Sequence, residues 1–373
     1  MMAGKKKSVL ITGGPVPVYI DDMRILSNGA RGGQSAEYAD IFARKGYNVT
    51  YLTTQAAILP KEKRVNIVYH NGFDDYRAKV IAISKKSGLV VLSAAVANFM
   101  RKGGRYKGKI NPNAVGELVL RLVPTLKVIN EVKKVNPDCC LVGFKLMSRA
   151  SKAGLIDGAW KVMRNSRADI VIANDRQELM RKFILAKDKS VREARSLEEA
   201  ADFIGQIASD KHFKTKVSSG SLSKHADAVK ACQDLAERNN RKFISWGDGS
   251  QRRFGCIAMR SSGGMMISPR EKDAPETKWK WVVVKAVNPR RMRILTIGGK
   301  ASLNAPLLWN AFRKSRDAVY IIHYHRQRKD LPTVDWAPPG TLREYNLARR
   351  GSFNVFGHGA IEIYDKKGDL LVE

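Results

Sequence analysis

From Val9 to about Lys187, short apolar runs alternate with stretches in which apolar residues recur every three to four positions. The runs Val9–Thr12, Asn48–Thr53, Val65–Tyr69, Leu89–Ala94, Glu117–Leu122, Cys140–Lys145, Ile170–Ala173 and Phe183–Ala186 predict strands. Several are apolar at successive positions, as suits strands covered on both faces. Between them, Ser35–Arg44, Asp75–Lys85, Leu126–Lys134 and Lys152–Asn165 carry helical periodicity. Alternation of this kind predicts an α/β domain built on a doubly wound, mainly parallel sheet, with ligands at the carboxyl ends of its strands.

A charged helix follows over Ser196–Ser209, where Ser196 as N-cap and Glu199 three residues on form a capping-box pattern. The segment Lys211–His225 is polar, Ser-rich and poorly periodic. It predicts a linker over 211–225 between a first domain, 1–210, and a second, 226–373, whose pattern points to an antiparallel sheet with a few helices.

Composition changes this picture mainly through charge. At 373 residues, 44% hydrophobic and 27% charged, the chain can fill two cores, which makes disorder an unsuitable default. The 67 Lys and Arg against 35 Asp and Glu leave a net charge of +32, a field that attracts polyanions and leaves nucleic acid open as a partner. The basic residues are scattered rather than gathered in one arm, so a charged surface without a dedicated groove is an equal alternative. The four cysteines, Cys139, Cys140, Cys232 and Cys256, lack CxxC spacing and fit free thiols in a reducing compartment. No apolar run approaches the roughly 20 residues a bilayer requires, and the expectation is a cytoplasmic protein without a membrane partner.

The chemistry-bearing stretch of the first half is Val9–Glu37. A buried-strand run enters Gly13-Gly14, Pro15 and Pro17 delay the helix, and a long loop carries Asp21, Asp22, Arg24, Asn28 and Arg31 before the helix start. Taken alone, Gly-Gly after a strand is equally a tight turn. The order of Gly13-Gly14, Arg24, Asn28 and Arg31-Gly32 before a Ser-Ala-Glu helix start resembles phosphopantothenoylcysteine synthetases. So do Val90–Phe99, Lys109–Asn111, Leu141–Lys145 and Ala168–Asp175, which follow in the same order.

The resemblance implies a Rossmann-like fold and a nucleotide-dependent ligase of coenzyme A biosynthesis, in which CTP or ATP with Mg²⁺ activates 4'-phosphopantothenate as an acyl nucleotide that L-cysteine then displaces. It implies that Gly13 and Gly14 supply backbone donors, that Asn28 holds the intermediate and that Lys161 lies near the phosphates. Arg24, Arg31 and Gly32 belong to the same loop. Ala95, Asn98 and Phe99 match a block beside the pantetheine site, and Lys109 a Lys-Ile pair. Phe144, Asn174 and Asp175 fall in the two later blocks. Two departures stand out: the loop Asn28–Gly32 lacks about three residues of the family's Ser-Ser-Gly, and Asn98 replaces an Asp. Each residue also has a plain alternative: Asn28 as a turn residue, Asn98 as a strand-end cap, Lys161 on a solvated helix face.

In the second half, His323 and His325 end an apolar run, and residues i and i+2 of a strand face the same way, so both imidazoles reach one ion. His358 lies between Gly357 and Gly359, which let the backbone turn closely around the ring. Three histidines with an open fourth position form a zinc geometry, while two strand histidines and one turn histidine without metal are the alternative. This half is similar to class II aldolases and the related adducin head domains. Ser268-Pro269 and Gly247–Ser250 resemble that family's substrate loops. Its catalytic Glu falls on Asn304, which cannot serve as a general base, so aldol chemistry is not expected.

Two functions therefore stand side by side. One is a phosphopantothenate-cysteine ligase fused to a zinc-binding, aldolase-like domain. The other is a catalytically degenerate basic protein that uses both scaffolds for nucleic-acid binding or assembly. Both resembled families imply a homo-oligomer.

Overall fold

The computed structural model describes residues 8–187, 190–243, 255–270 and 279–372. The chain divides near Ser209 into two compact units.

The first unit is built on eight strands: β1 Ser8–Thr12, β2 Asn48–Thr53, β3 Asn66–Tyr69, β4 Leu89–Leu92, β5 Cys140–Met147, β6 Ile170–Asp175, β7 Lys182–Ala186 and β8 Val191–Ala194. Their order across the sheet is β8-β7-β6-β5-β4-β1-β2-β3. The six strands from β3 to β6 run parallel, and β7 and β8 are added antiparallel at one edge. The winding reverses between β1 and β4, which opens a crevice at the carboxyl ends of these two strands. This is a Rossmann-like, doubly wound α/β fold.

Helices α1 Gly33–Arg44, α2 Gly72–Ser84, α3 Ile129–Val135, α4 Lys152–Ser166 and α5 Leu197–Ser209 cover the sheet. α1 packs with α5, while α3 packs with both α2 and α4. Val9, Leu10 and Ile11 are all buried, as strands covered on both faces require. Tyr38, Ile41 and Phe42 of α1 are also fully buried, and each such side chain contributes roughly 1.5–3 kcal/mol of burial.

Several boundaries differ from the pattern. The apolar run Glu117–Leu122 finds no neighbouring strand until Leu122–Pro124 pairs with Phe99–Arg101, which leaves Val119 67% exposed. After Leu92 the chain leaves the sheet, turned by the Ser93 hydroxyl donating to the Thr12 carbonyl (2.6 Å) and the Ala94 N–H donating to Thr12 Oγ1 (3.2 Å).

The second unit has a nine-stranded, largely antiparallel sheet: β9 Lys214–Val217, β10 Cys256–Ser261, β11 Gly264–Ile267, β12 Val282–Asn288, β13 Arg293–Ile297, β14 Tyr320–Tyr324, β15 Thr333–Val334, β16 Phe353–Val355 and β17 Gly359–Tyr364. Their order is β9-β13-β12-β11-β10-β14-β17-β16-β15. The strand β9 lies inside the segment read as a linker: its alternating Lys214, Thr215, Lys216 and Val217 form an edge beside β13, so backbone pairing, not apolar pattern, makes it a strand. Helix α6 Ala226–Arg238 packs on β10 and β11, and α7 Ala305–Lys314 packs with α8 Leu342–Leu347. Among the described residues the four cysteines form no disulfide, and no helix is long and apolar enough to cross a membrane.

Candidate functional site

At the end of β1 the chain turns through Gly13 and Gly14. The Gly13 N–H donates to the Leu52 carbonyl (3.0 Å), and the Gly13 carbonyl accepts from Thr53 Oγ1 (3.0 Å). Its N–H is therefore engaged within the fold, and a Cβ at this position would lie 2.1 Å from the Tyr51 hydroxyl. Gly14 has φ +74°. Gly32, with φ +81°, precedes α1 and comes so close to Gly14 that a Cβ would sit 2.6 Å from the Gly14 nitrogen. Two glycine backbones thus close on each other beside the first turn of α1.

Asn28 joins this cluster. Its Nδ2 donates to the Ala95 carbonyl (2.7 Å), and its Oδ1 accepts from the Ala30 N–H (3.1 Å), shaping the shortened loop as an Asx-type turn. The Ala95 N–H donates in turn to the Gly14 carbonyl (2.9 Å). Gly14, Asn28 and Ala95 converge at the crevice between β1 and β4.

Arg24 is tied down rather than presented to a ligand. Its guanidinium donates to Asp21 Oδ2 and to the Ile110 carbonyl (3.2 Å). The Asp21 side chain is fully buried. Burial opposes its ionisation, but the N–H groups of Ile110, Arg24 and Met23 and the Arg24 guanidinium outweigh it and hold the carboxyl well below the usual range. This pair clamps the 20–24 loop to Ile110, next to the exposed Lys109. Arg31 is exposed, with its carbonyl accepting from the Ile58 N–H (2.9 Å).

Asn98 accepts from Lys127 Nζ (2.9 Å), and Phe99 beside it is 50% exposed. Phe144, in β5, lies edge-on to Tyr38 with ring centroids 6.0 Å apart. Asn174 and Asp175 are buried at the end of β6. Hydrogen bonds from the Ala150 and Gln177 N–H groups lower the Asp175 carboxyl pKa.

Lys161 does not join the cluster. It lies nine residues into α4, roughly 14 Å along the helix from Lys152, and pairs outward with Asp157 (2.8 Å) at 62% side-chain exposure. The solvated helix face is what the structure forms.

A different lysine stands at the carboxyl edge. Lys182 opens β7, beside the end of β6, and is 1% exposed. Its Nζ donates to Gln34 Oε1 (3.2 Å), in the first turn of α1, and to the Leu179 carbonyl. Burial pushes its ammonium down to about 8, with Glu37 acting in the opposite direction. Reading the strand from Phe183 passed over it; a lysine leading directly into a four-residue apolar run was the signal.

In the second unit, β14 and β17 pair antiparallel with His323 opposite Ile361. His323, His325 and His358 come together with ring centroids 4.8–5.1 Å apart, and their ligand nitrogens lie within 4.8 Å of one another. His323 Nδ1 is hydrogen-bonded to the Ala360 carbonyl (3.0 Å), so its Nε2 is the atom presented to an ion. His358 is buried, and burial pushes its imidazole down to about 4, the neutral form a metal requires. The turn depends on Gly359, φ +132°, where a Cβ would fall 2.0 Å from the Tyr324 carbonyl oxygen. Asn304 is buried just before α7, and its side chain does not cap that helix. Ser268 is fully buried, its carbonyl accepting from the Ser302 N–H (3.2 Å). Gly247–Ser250 lie outside the described residues.

The strand order defines the class of the first unit: a Rossmann-like domain, in which Gly14, Asn28 and Ala95 gather at the switch point between β1 and β4. Residues 4–234 match the family model of the DNA/pantothenate metabolism flavoprotein C-terminal domain, more than half of the chain, and the chain belongs to this family. A curated relative, the Coenzyme A biosynthesis bifunctional protein CoaBC of Thermococcus kodakarensis, is 32% identical over 169 residues, 45% of this chain and 41% of that protein. The chain thus spans less than half the length of this relative. The crystal structure of the DNA/pantothenate metabolism flavoprotein from Streptococcus pneumoniae is 24% identical, with a TM-score of 0.48 over 53% of this chain and 96% of that one. YgbL of Klebsiella pneumoniae, described as a putative aldolase/epimerase/decarboxylase, is 13% identical with a TM-score of 0.29 over 38% of this chain and 80% of that one. At these TM-scores neither structure adds to the assignment.

Proposed function

We propose that the first unit is a nucleotide-dependent ligase that joins 4'-phosphopantothenate and L-cysteine in coenzyme A biosynthesis. The observation that carries this reading is the convergence of Gly14, Asn28 and Ala95 at the β1/β4 crevice, in a chain of this family whose relative is named for coenzyme A biosynthesis. The substrate carboxylate attacks the α-phosphorus of CTP or ATP and expels pyrophosphate; the cysteine amine then attacks the acyl carbon and expels the nucleoside monophosphate. Asn28, held between Ala95 and its own turn, offers an amide to the acyl-nucleotide. Mg²⁺ arrives on the triphosphate as part of the substrate, because the buried carboxylates of Asp21 and Asp175 are already taken by backbone N–H groups. The setting is cytoplasmic, and a homo-oligomer belongs to the same reading.

The test supplies the full chain with CTP or ATP, Mg²⁺, 4'-phosphopantothenate and cysteine. Pyrophosphate and CMP or AMP released in step with the amide product support the ligase, and release of neither overturns it.

A second reading concerns the histidine trio, which we propose binds zinc. The three imidazoles fit such an ion: one is set by Ala360, and another is kept neutral by burial. Bound zinc would supply a Lewis acid or a structural staple, and the absence of a carboxylate at Asn304 favours the staple. Zinc measured by elemental analysis at about one equivalent, and lost in His323→Ala, supports it; equal zinc in both proteins overturns it.

A further inference from the structure

We propose that Lys182 and Gln34 form the contact for a phosphate or pyrophosphate group of the nucleotide, with Lys182 supplying the charge that the solvent-facing Lys161 does not. The identity of the ligand rests on the ligase reading; the anion site itself does not.

Three observations place it. Lys182 is 1% exposed, yet among the described residues no carboxylate lies within ion-pairing distance of its Nζ, which is satisfied by two neutral oxygens, Gln34 Oε1 and the Leu179 carbonyl. A desolvated cation with no counter-charge in contact, Glu37 acting only at longer range, is costly unless an anion completes the site. Second, it touches the first turn of α1, whose N-cap Gly32 offers no side-chain acceptor and whose first turn holds no acidic residue. The positive end of a helix and a buried ammonium side by side repel unless something negative lies between them. Third, this turn adjoins Gly14 through Gly32 and so the Asn28 cluster, and exposed apolar side chains flank it: Ile58 beside Gly33, and Met180 against Gln34. Exposed apolar side chains around a buried cation suit a ligand with an anionic end and an apolar body.

The site also has a protonation signature. Burial lowers the basicity of the amine, and the charged groups around it are few: Glu37 one turn along α1, and Arg181, which is occupied by Glu178 and Glu193. An arriving anion restores the ammonium, so binding near pH 8 takes up a proton. Sulfate, which does not titrate there, isolates the protein's own contribution.

The experiment is calorimetric titration of the full chain with sulfate and with pyrophosphate, in two buffers of different ionisation heat at pH 8, for wild type, Lys182→Met and Lys182→Arg. The wild type is expected to take up a fraction of a proton with sulfate. Lys182→Met is expected to lose at least about tenfold in pyrophosphate affinity, the loss of a charge-assisted hydrogen bond, while Lys182→Arg stays within about threefold of wild type. A Lys182→Met protein that binds pyrophosphate like the wild type overturns the proposal. Should Lys182→Met fail to fold, wild-type binding without proton uptake overturns it equally. Ligase turnover is measured in parallel: its absence alongside Lys182-dependent pyrophosphate binding sinks the ligase and leaves the anion site standing, and the reverse result sinks only the anion site.

Discussion

Gly32→Ala is the sharpest test of the glycine-lined loop, because Gly29 in the same loop serves as its control. Gly32 sits at φ +81°, a conformation that costs a residue with a Cβ roughly 1–2 kcal/mol. The added Cβ would also lie 2.6 Å from the Gly14 nitrogen and 2.8 Å from its Cα, and both are backbone atoms pinned by the Ala95 hydrogen bond. Relieving an overpacked contact of this kind costs roughly 1–3 kcal/mol more. The sum is a loss of about 2–5 kcal/mol, concentrated where β1 meets α1. A Cβ added at Gly29 would meet no atom within 4 Å, so Gly29→Ala is expected to stay within about 0.5 kcal/mol of wild type. Native-state hydrogen exchange of peptides covering β1 and α1 reads the opening free energy of that region alone, apart from the second unit. If Gly32→Ala protects those peptides as well as Gly29→Ala does, the close approach of the two glycines is not what holds the loop.

Three further outcomes follow from individual side chains. Lys161→Ala should leave nucleotide affinity unchanged and cost no more than about 0.5 kcal/mol, since it removes only an exposed i,i+4 pair with Asp157; a large loss of affinity in titration would return Lys161 to the site. Glu362 is buried and accepts from Lys242 Nζ (2.6 Å), Arg328 Nη1 (2.9 Å), Tyr324 (2.8 Å) and Tyr364 (2.7 Å). Glu362→Gln should therefore destabilise the second unit by about 2–5 kcal/mol in urea denaturation. Burial opposes ionisation of Glu362, but the bonds from Lys242, Arg328 and the two tyrosines lower its pKa overall, so its contribution is complete above the ordinary carboxylate range and fades as pH falls below it. A urea midpoint for this unit that does not fall on acidification would contradict that sign. His70 runs through a different window: burial pushes its imidazole down to about 4, so the fold prefers the neutral ring. Its contribution is full above the unfolded value of roughly 6.5 and is lost as pH drops toward 4. His70→Phe, which keeps the edge contact with Tyr76, should flatten that part of the pH profile of the first unit, and an unchanged profile would exclude His70 as its source.

The first unit's alternation of strand and helix was legible because both periods are local: β1, β5 and β6 contain continuous apolar runs, and α1 and α4 keep their periodic faces. Glu117–Leu122 misled because an apolar run becomes a strand only if a partner lies beside it, and β9 was missed for the converse reason. The histidine trio was legible in part, since i,i+2 spacing on a strand is local; that His358 meets the pair depended on the antiparallel register of β14 and β17.

The sequence by itself determined most elements of the first unit, the turn after β1 and the residue types available to a phosphate site. Tertiary structure decided which of those groups remain available. Gly13 donates its N–H to Leu52, Arg24 is bound to Asp21, Lys161 faces solvent, and Lys182, outside every motif, is buried beside α1. The physical reason is that a donor or a charge acts only when nothing nearer in space already satisfies it, and in a doubly wound sheet the nearest partners come from distant strands: Lys182 and Gln34 meet across 148 positions.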